Sequence, residues 1–273
     1  AVSMGSAYTA AAAGVNAISY NAAGLTSMTG VELAFSHTNW LMDSKHDFLG
    51  FGMPLGSKWP ARRGKEWTMG LGITRLTNSG FEGRNEDRSA GGDFSAGDQS
   101  ISIGAARVIG KYRAGVAAKY IESSIAGARA HALAADLGLT RALGRWPVDF
   151  GLTVQNIGTP MRYISQKDRL PLTVSAGFLV NIVSGFSVAL DVRRLVYDRQ
   201  TALSIGTEYG VLSGFSLRSG YLTNSGSLSS GNRDSKGFSA GAGVNFMKMQ
   251  ADYSFTPFGA LGDAQKITLR KKF

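Results

Sequence analysis

The stretch that decides the fold class is PVDFGLTVQN, residues 147–156. Every second residue in it is apolar, and the residues between are small or polar. The apolar positions are Val148, Phe150, Leu152 and Val154. Because successive side chains of a β-strand point to opposite faces, this alternation predicts a strand with one apolar face. Similar segments follow one another from residue 31 to the end of the chain, about fourteen in all.

Composition narrows the classes of protein to which the chain can belong. Its 273 residues include 36 glycines and no cysteine, and the formal net charge is +10. Without cysteine the chain has neither a disulfide framework nor a thiolate zinc site. No window holds the roughly 18 consecutive apolar residues of a membrane-spanning helix. The 29 lysines and arginines are scattered among 19 acidic residues, so we expect no nucleic acid as a partner.

The second face of the strands distinguishes a soluble β-domain from a membrane barrel. A soluble domain turns lysine, glutamate and threonine to water, whereas this face carries glycine, serine, alanine and a few charges. Glycine weakens a strand, so a glycine-rich face indicates that something packs closely against it. We therefore predict a membrane barrel with its apolar face outward and its lumen filled. The glycines on the second face are Gly70, Gly72, Gly115, Gly138, Gly151, Gly177, Gly206, Gly220, Gly241 and Gly243.

The lengths of the connections predict the orientation. Long connections follow the third, seventh and eleventh strands, at residues 79–98, 157–170 and 222–236, whereas most connections after even strands are short. Residues 57–65, after the second strand, are an exception. Outer-membrane barrels have an even number of antiparallel strands, short periplasmic turns and longer extracellular loops. This pattern predicts a barrel in the bacterial outer membrane with periplasmic termini and extracellular long loops.

The fold class that follows is all-β, a transmembrane antiparallel β-barrel of about fourteen strands with an N-terminal plug segment inside the lumen. The predicted division is a plug at residues 1–28 and a barrel at residues 29–273. Residues 5–20 are small and apolar but too short to cross a membrane, and the family resemblance described below implies that they form part of the plug.

The sequence contains no catalytic motif that fits a barrel of alternating strands. GFSAG, residues 237–241, has the spacing of a hydrolase nucleophile elbow, but it lies inside an alternating strand with no helix after it. The three histidines have no spacing that suits a metal ion. We therefore predict a non-enzymatic protein with no catalytic residue, metal site or cofactor.

Charged residues on the lumen face form the first group of candidate site residues. Mixed charges on a wall shielded from bulk water should pair, because an unpaired charge there is costly. They could form a structural network of ion pairs or a selectivity filter. The residues are Lys119, Asp136, Asp149, Asp191, Arg193, Glu208, Arg218, Asp252 and Arg270.

The acidic connection after the third strand is the second candidate site. Long loops on a rigid scaffold are a frequent location for binding residues, so this loop is a candidate for contact with a protein partner. A solvent-exposed loop that binds no partner would have the same composition. The candidate residues are Phe81, Glu82, Arg84, Glu86, Asp87, Asp93 and Phe94.

A resemblance to a known family begins in the N-terminal segment. GSAYTAAAAGVNAISYNAAGL, residues 5–25, resembles the segment of FadL-like barrels, and more closely that of the PorV/PorQ family, in which a glycine- and alanine-rich stretch leads into Asn-Pro-Ala-Gly-Leu. Ala22 stands where the family has proline. The resemblance continues through VQNIG, residues 154–158, and the closing segment, residues 252–273. The plug-motif residues are Gly5, Asn16, Asn21, Gly24 and Leu25.

The resemblance implies a fourteen-stranded barrel with an N-terminal plug, and Phe273 as the C-terminal signal read by the barrel assembly machinery. PorV-like proteins serve type IX secretion, so we expect a non-enzymatic barrel that binds protein partners of a secretion or surface complex, surrounded by outer-membrane lipid. A first alternative is a FadL-like transporter of hydrophobic small molecules, against which the polar lumen face argues. A second is a structural barrel in a larger outer-membrane complex.

Overall fold

The computed structural model describes residues 1–41, 43–56, 66–81, 83–84, 89, 91–92, 94–144, 146–163, 166–224, 237–259 and 262–273. No helix in these ranges is long and apolar enough to cross a membrane.

Alternating segments of the sequence form the strands. The short N-terminal helices are of the 3₁₀ type and are η1 (Val2–Met4), η2 (Val15–Ser19) and η3 (Ala22–Ser27). The strands are β1 (Glu32–Asn39), β2 (Lys45–Leu55), β3 (Trp67–Phe81), β4 (Phe94–Ile109), β5 (Tyr112–Ile125), β6 (Ala128–Ala142), β7 (Val148–Gly158), β8 (Met161–Tyr163), β9 (Gln166–Asp168), β10 (Thr173–Val183), β11 (Phe186–Leu195), β12 (Gln200–Leu212), β13 (Phe215–Asn224), β14 (Phe238–Phe246), β15 (Met249–Pro257) and β16 (Asp263–Lys272).

Within the described ranges, fourteen of these strands close into one antiparallel barrel, and β8 and β9 form a separate hairpin. Each barrel strand pairs with its neighbours in the chain, except that β7 pairs with β10 and that β1 pairs with β16. The closing pairs run from Glu32↔Lys272 to Asn39↔Gln265. Closure leaves no unpaired edge strand, and it confirms the predicted fourteen-stranded antiparallel barrel.

Apolar side chains lie on the outside of the barrel. On β1, Leu33 and Phe35 are 41% and 46% exposed, whereas the alternate residues Ala34 and Ser36 are 1% and 2% exposed. A soluble barrel has the opposite arrangement, with apolar side chains inside. An apolar outer band is the arrangement that lipid requires.

Residues 1–28, called here the N-terminal segment, lie against the inner wall. Its helix η3 contacts β3 to β6, η2 contacts β1 to β4, and η1 contacts β12 to β15. Val15, Ile18 and Leu25 are no more than 1% exposed. The main apolar core of the protein is therefore the contact between this segment and the barrel interior.

The barrel has two distinct ends. The terminal end carries the start of β1, the end of β16 and the connections at 56–66, 110–111, 143–147, 184–185, 213–214 and 247–248. The loop end carries the connections at 40–44, 82–93, 126–127, 159–172, 196–199, 225–237 and 258–262. All three long connections of the sequence lie at the loop end.

Three predicted loop boundaries were wrong, because the strands run further than alternation indicated. β3 extends to Phe81 and β4 begins at Phe94, so residues 79–81 and 94–98 belong to strands. β7 continues to Gly158, and the connection after it contains the β8–β9 hairpin. β13 reaches Asn224, and residues 225–236 lie outside the described part of the chain.

Candidate functional site

The N-terminal segment packs where the inner wall lacks side chains. A Cβ added to Gly206 would lie 2.6 Å from the Cβ of Met4, and one added to Gly151 would lie 2.6 Å from the carbonyl oxygen of Thr9. Gly70 meets the side chain of Leu25 in the same way, at 3.1 Å. Glycine at these inward positions lets the backbone of the segment approach the strands closely.

Asn21 links the segment to two neighbouring strands. Its Oδ1 accepts a hydrogen bond from the backbone N–H of Ala23 at 3.1 Å and so caps η3. Its Nδ2 donates to the carbonyl oxygen of Thr9 at 2.8 Å and lies 3.4 Å from that of Leu139 and 3.5 Å from that of Leu152. Asn21 is 1% exposed. One side chain thus fixes both the turn and its position on the wall.

The other plug-motif residues have different environments. Gly5 has a φ of +59°, a left-handed conformation that favours glycine, and its N–H donates to Ser239 Oγ at 3.0 Å. Gly24 packs against the carbonyl oxygen of Ala12, where a Cβ would collide. Leu25 is fully buried in the main core. Asn16 instead faces the lumen, and its Oδ1 has no hydrogen-bond partner within the described structure.

Two carboxylates on the wall hold the segment through its backbone. Asp191 Oδ2 accepts hydrogen bonds from the N–H of Tyr8 at 2.8 Å and of Thr9 at 2.7 Å. Glu32 Oε2 accepts from the N–H of Val15 at 3.1 Å. Both carboxylates are buried, at 5% and 3% exposure. Sequence reasoning found Asp191 but missed Glu32, although its alternation with Leu33 already placed it on the inner face.

A ladder of charges crosses the wall formed by β12 to β16. Arg218 Nε donates to Glu208 Oε2 at 2.7 Å, and its NH1 donates to Asp252 Oδ1 at 2.5 Å. Gln250 Nε2 donates to Asp252 Oδ2 at 2.8 Å, and Arg270 donates to Gln250 Oε1. Four of the predicted lumen charges are thus joined with Gln250 in one network.

A second network lies where β7 departs from regular pairing. Lys119 Nζ lies 2.5 Å from Asp136 Oδ2 and donates to Asn156 Oδ1 at 3.0 Å. Asp136 Oδ1 accepts from the N–H of Asn156 at 2.8 Å. The remaining predicted lumen charges, Asp149 and Arg193, lie half-buried on the same inner face.

Asp136 marks a bulge in the wall. The pairing of β6 with β7 shifts between Ala135↔Ile157 and Leu137↔Val154, so that Gln155 and Asn156 stand opposite Asp136 alone. Asn156 has a φ of +62°. An extra residue in one strand bends that strand and interrupts the ladder. The ion pair of Asp136 with Lys119 fixes this bend in place.

Beyond the bulge, β7 separates from β10. Their pairing stops at Gln155↔Thr173, while β7 stays paired with β6 up to Gly158↔Ala134. The connection between them folds inward, because Met161 and Leu170 pack on Ala132, which faces the lumen. The regular pairing of β7 with β10 therefore ends towards the loop end, where Asn156 Nδ2 still donates to the carbonyl oxygen of Pro171 at 3.1 Å.

Two cavities lie next to this interruption of the pairing. The lumen cavity, of about 440 Å³, lies beside the N-terminal segment and is mainly polar, with Lys119, Glu208, Arg218, Asp252, Lys266 and Arg270 in its lining. The wall cavity, of about 510 Å³, is lined by Asn156, Ile157, Gly158, Pro160, Lys167, Arg169, Leu170, Leu172 and Tyr197. Asn156 is in the lining of both cavities, so the bulge lies between them.

The candidate partner-binding loop is only partly described. Phe81 and Phe94 stack with ring centroids 5.2 Å apart and pair across β3 and β4, so they form the base of the loop. Arg84 lies in the loop itself. Glu82, Glu86, Asp87 and Asp93 lie outside the described residues. Binding of a partner at this loop remains a prediction.

The C-terminal residue Phe273 is exposed at the terminal end. Its N–H donates to the carbonyl oxygen of Val31 at 2.9 Å, and Lys271 Nζ lies 4.8 Å from the centre of its ring. Its role as an assembly signal remains a prediction. Among the described residues, no group of three or more His, Cys, Asp or Glu is arranged to hold a metal ion.

Comparison with solved structures identifies the fold, whereas comparison of sequences identifies no family. No protein-family model matches the chain, and no curated protein does. The solved toluene transporter TodX of P. putida has a TM-score of 0.65 at 15% identity, over 95% of this chain and 94% of TodX. CymD, a monoaromatic hydrocarbon channel, has a TM-score of 0.66 at 13% identity, over 95% and 93%.

A third solved structure has a similar fold. A Pseudomonas aeruginosa FadL homologue covers 98% of this chain and 96% of its own length, with a TM-score of 0.58 at 10% identity. The fold is therefore that of FadL-like outer-membrane barrels. The part of the resemblance that pointed to PorV/PorQ proteins has no such support from these structures.

Proposed function

We propose that the chain forms an outer-membrane channel for small apolar or amphipathic molecules, which pass through the wall between β7 and β10. The observation that carries this proposal is the bulge at Asn156, a residue that lines both the lumen cavity and the wall cavity where the pairing of β7 with β10 ends. The fold is shared with TodX, a toluene transporter, and with CymD, a monoaromatic hydrocarbon channel. At this level of identity, their likeness supports a channel but does not name a substrate.

The N-terminal segment favours a route through the wall over one along the barrel axis. Part of it lies near the terminal end, because its contacts at Gly115, Gly138 and Gly151 are close to that end of β5, β6 and β7. We infer that it closes the lumen there. A molecule that enters the lumen cavity from the loop end then has the opening beside Asn156 as its exit.

The lining suggests which molecules would pass. The lumen cavity offers charged and hydroxyl groups, which suit a polar group on the solute. The wall cavity adds the apolar side chains of Ile157, Leu170, Leu172 and Tyr197 at the opening. A polar cavity followed by a more apolar one suits a small molecule with an apolar body and at most one polar end. Such a molecule would leave the protein into the lipid.

Deletion of Asn156 tests this route. Removal of the extra residue restores one-to-one pairing of β7 with β6 and should straighten β7 against β10. We expect uptake of a labelled monoaromatic compound into proteoliposomes to fall about tenfold, the level expected if the opening closes. Deletion of Ile182, the extra residue of the bulge between Asn181 and Val183, is the matched control and should leave uptake unchanged. Equal uptake by both variants and the unmodified protein would contradict the proposal.

The secretion hypothesis predicts a different result. If the protein serves as a PorV-like accessory, purification from the outer membrane in mild detergent should yield stoichiometric protein partners. Removal of residues 82–93 should abolish that association and leave a folded, heat-modifiable barrel. A barrel that carries hydrophobic small molecules and no partner would favour the channel.

A further inference from the structure

The outer rim of the terminal end carries a row of alternating aromatic and basic side chains. On four neighbouring strands, Trp67 of β3 is followed by Arg107 of β4, Tyr112 of β5 and Arg141 of β6. Trp67↔Arg107 continues the register of Thr68↔Ala106, and Tyr112 pairs directly with Arg141. Lys111 lies on the turn that joins β4 to β5. We call these residues the basic-aromatic row.

Contacts within the row hold the cations at a defined height. The guanidinium carbon of Arg107 lies 5.8 Å from the centre of the Trp67 ring, and that of Arg141 lies 4.9 Å from the centre of the Tyr112 ring. Arg141 NH1 also donates to the Tyr112 hydroxyl at 2.8 Å. Aromatic rings of this kind settle at the boundary between lipid tails and headgroups, so the guanidinium groups are held where headgroup phosphates lie.

The row faces lipid and is not balanced by acids. Arg107 continues the outward positions of Ile101 and Ile103 on β4, which are 45% and 49% exposed. Trp146, on the next turn, is 72% exposed. Among the described acidic residues near this end, Glu32, Asp149 and Glu208 lie on the inner face, and Glu66 is half-buried beside Gly56.

The loop end carries exposed charges of both signs. Exposed acids and bases alternate there, as on Lys45, Asp98, Arg129, Asp168 and Arg199. A one-signed rim at one end and a mixed rim at the other indicate that the two ends meet different surroundings. The short turns predict that the terminal end lies in the periplasmic leaflet, which consists of phospholipid, and the proposal below rests on this predicted orientation.

We propose that the basic-aromatic row is a binding site for an anionic phospholipid of that leaflet. The phosphate would lie among Arg107, Lys111 and Arg141, and the acyl chains would run along the apolar outer face beside Ile103 and Val116. A lipid with two phosphates, such as cardiolipin, fits best because the two guanidinium groups lie on either side of β5.

The test is lipid retention by the intact barrel. The delipidated protein is equilibrated with an equal mixture of cardiolipin and phosphatidylethanolamine, and the bound lipids are counted by native mass spectrometry. We expect cardiolipin to be preferred. The triple variant Arg107→Gln, Lys111→Gln, Arg141→Gln should lose this preference, at roughly fivefold for each cation removed.

A matched control variant distinguishes lipid binding at this site from a general effect of the net charge. Lys45→Gln, Arg129→Gln, Arg199→Gln removes the same number and kinds of cation at the loop end and should keep the preference for cardiolipin. Heat-modifiable migration in gels confirms that each variant is folded. Loss of preference in both variants, or in neither, would overturn the proposal. A parallel mixture with lipid A distinguishes the two sources of phosphate, and stronger, row-dependent binding of lipid A would overturn the phospholipid assignment.

Discussion

The inner wall has two regions with opposite chemistry. Where the N-terminal segment lies, the inward positions are glycines such as Gly151 and Gly206, and the contact is backbone against backbone. Where the lumen cavity lies, the inward positions are charged, and residues such as Arg218 and Asp252 bind each other. The difference shows that one alternating face of the sequence serves both to dock a segment and to line a cavity.

Deletion of residues 1–28 removes the docked region entirely and should have the largest effect. If the segment closes the lumen, single-channel conductance in planar bilayers should rise several-fold, because the glycine-lined half becomes open water. Conductance that stays at the level of the intact protein would contradict this role of the segment.

Replacement of Asp191 by alanine removes one of the two carboxylates that hold the segment but leaves the segment present. The N–H groups of Tyr8 and Thr9 would then lose a charged acceptor, which is worth about 1.5–3 kcal/mol for each bond. We expect residues 1–28 to become accessible to protease in the folded barrel. Asp149→Ala is the control, since Asp149 lies on the same face without a contact to the segment's backbone, and its protease pattern should not change.

Gly206→Ala introduces a side chain into the docked region. The new Cβ would fall 2.6 Å from Met4, so that η1 must shift, at a cost of about 1–3 kcal/mol. Gly210→Ala, four residues further along β12, meets only Gly185 at 3.6 Å and should be tolerated. Equal thermal stability of the two variants would show that the close approach of η1 to β12 is not required.

Arg218→Gln changes the cavity region and should have the smallest effect on the position of the N-terminal segment. It removes the cation between Glu208 and Asp252, so the cavity becomes more negative. In a barrel that lacks residues 1–28, the ratio of cation to anion permeability should therefore increase. An unchanged reversal potential under a salt gradient would show that the network is structural and not selective.

Alternation in the sequence predicted the barrel, its strand number and the inner position of the nine lumen charges, because a period of two assigns each side chain to a face. The glycine-rich face also indicated a close-packed partner. The early end of the pairing between β7 and β10 was not predicted, because the bulge adds one residue at VQNIG without any break in composition. The feature that marks the bulge is the positive φ of Asn156, which only the structure reveals.

The pairing of charges was predictable only in part. That lumen charges should pair follows from the cost of an isolated charge, but which residues pair depends on strand register. Lys119 and Asp136 are offset by two residues along β5 and β6, since Asp136 is in register with Ala117. The role of Asp191 as an acceptor for backbone N–H groups was likewise invisible until the path of residues 8 and 9 was known.

The most direct test of the account is to lock the N-terminal segment and measure transport. The chain has no cysteine, so Ser3→Cys with Gly241→Cys introduces a single pair at a place where a Cβ on Gly241 would lie 2.6 Å from that of Ser3. The new Cβ would also lie 2.5 Å from the backbone carbonyl oxygen of Tyr253, so the chain must shift by about 1 Å to reach disulfide geometry, and mass spectrometry must show that the disulfide has formed before transport is measured. If solutes leave through the wall, uptake of the monoaromatic compound should stay the same in the oxidised and reduced protein. Uptake that stops on oxidation and returns on reduction would show that solutes pass the segment, and the wall route would be wrong.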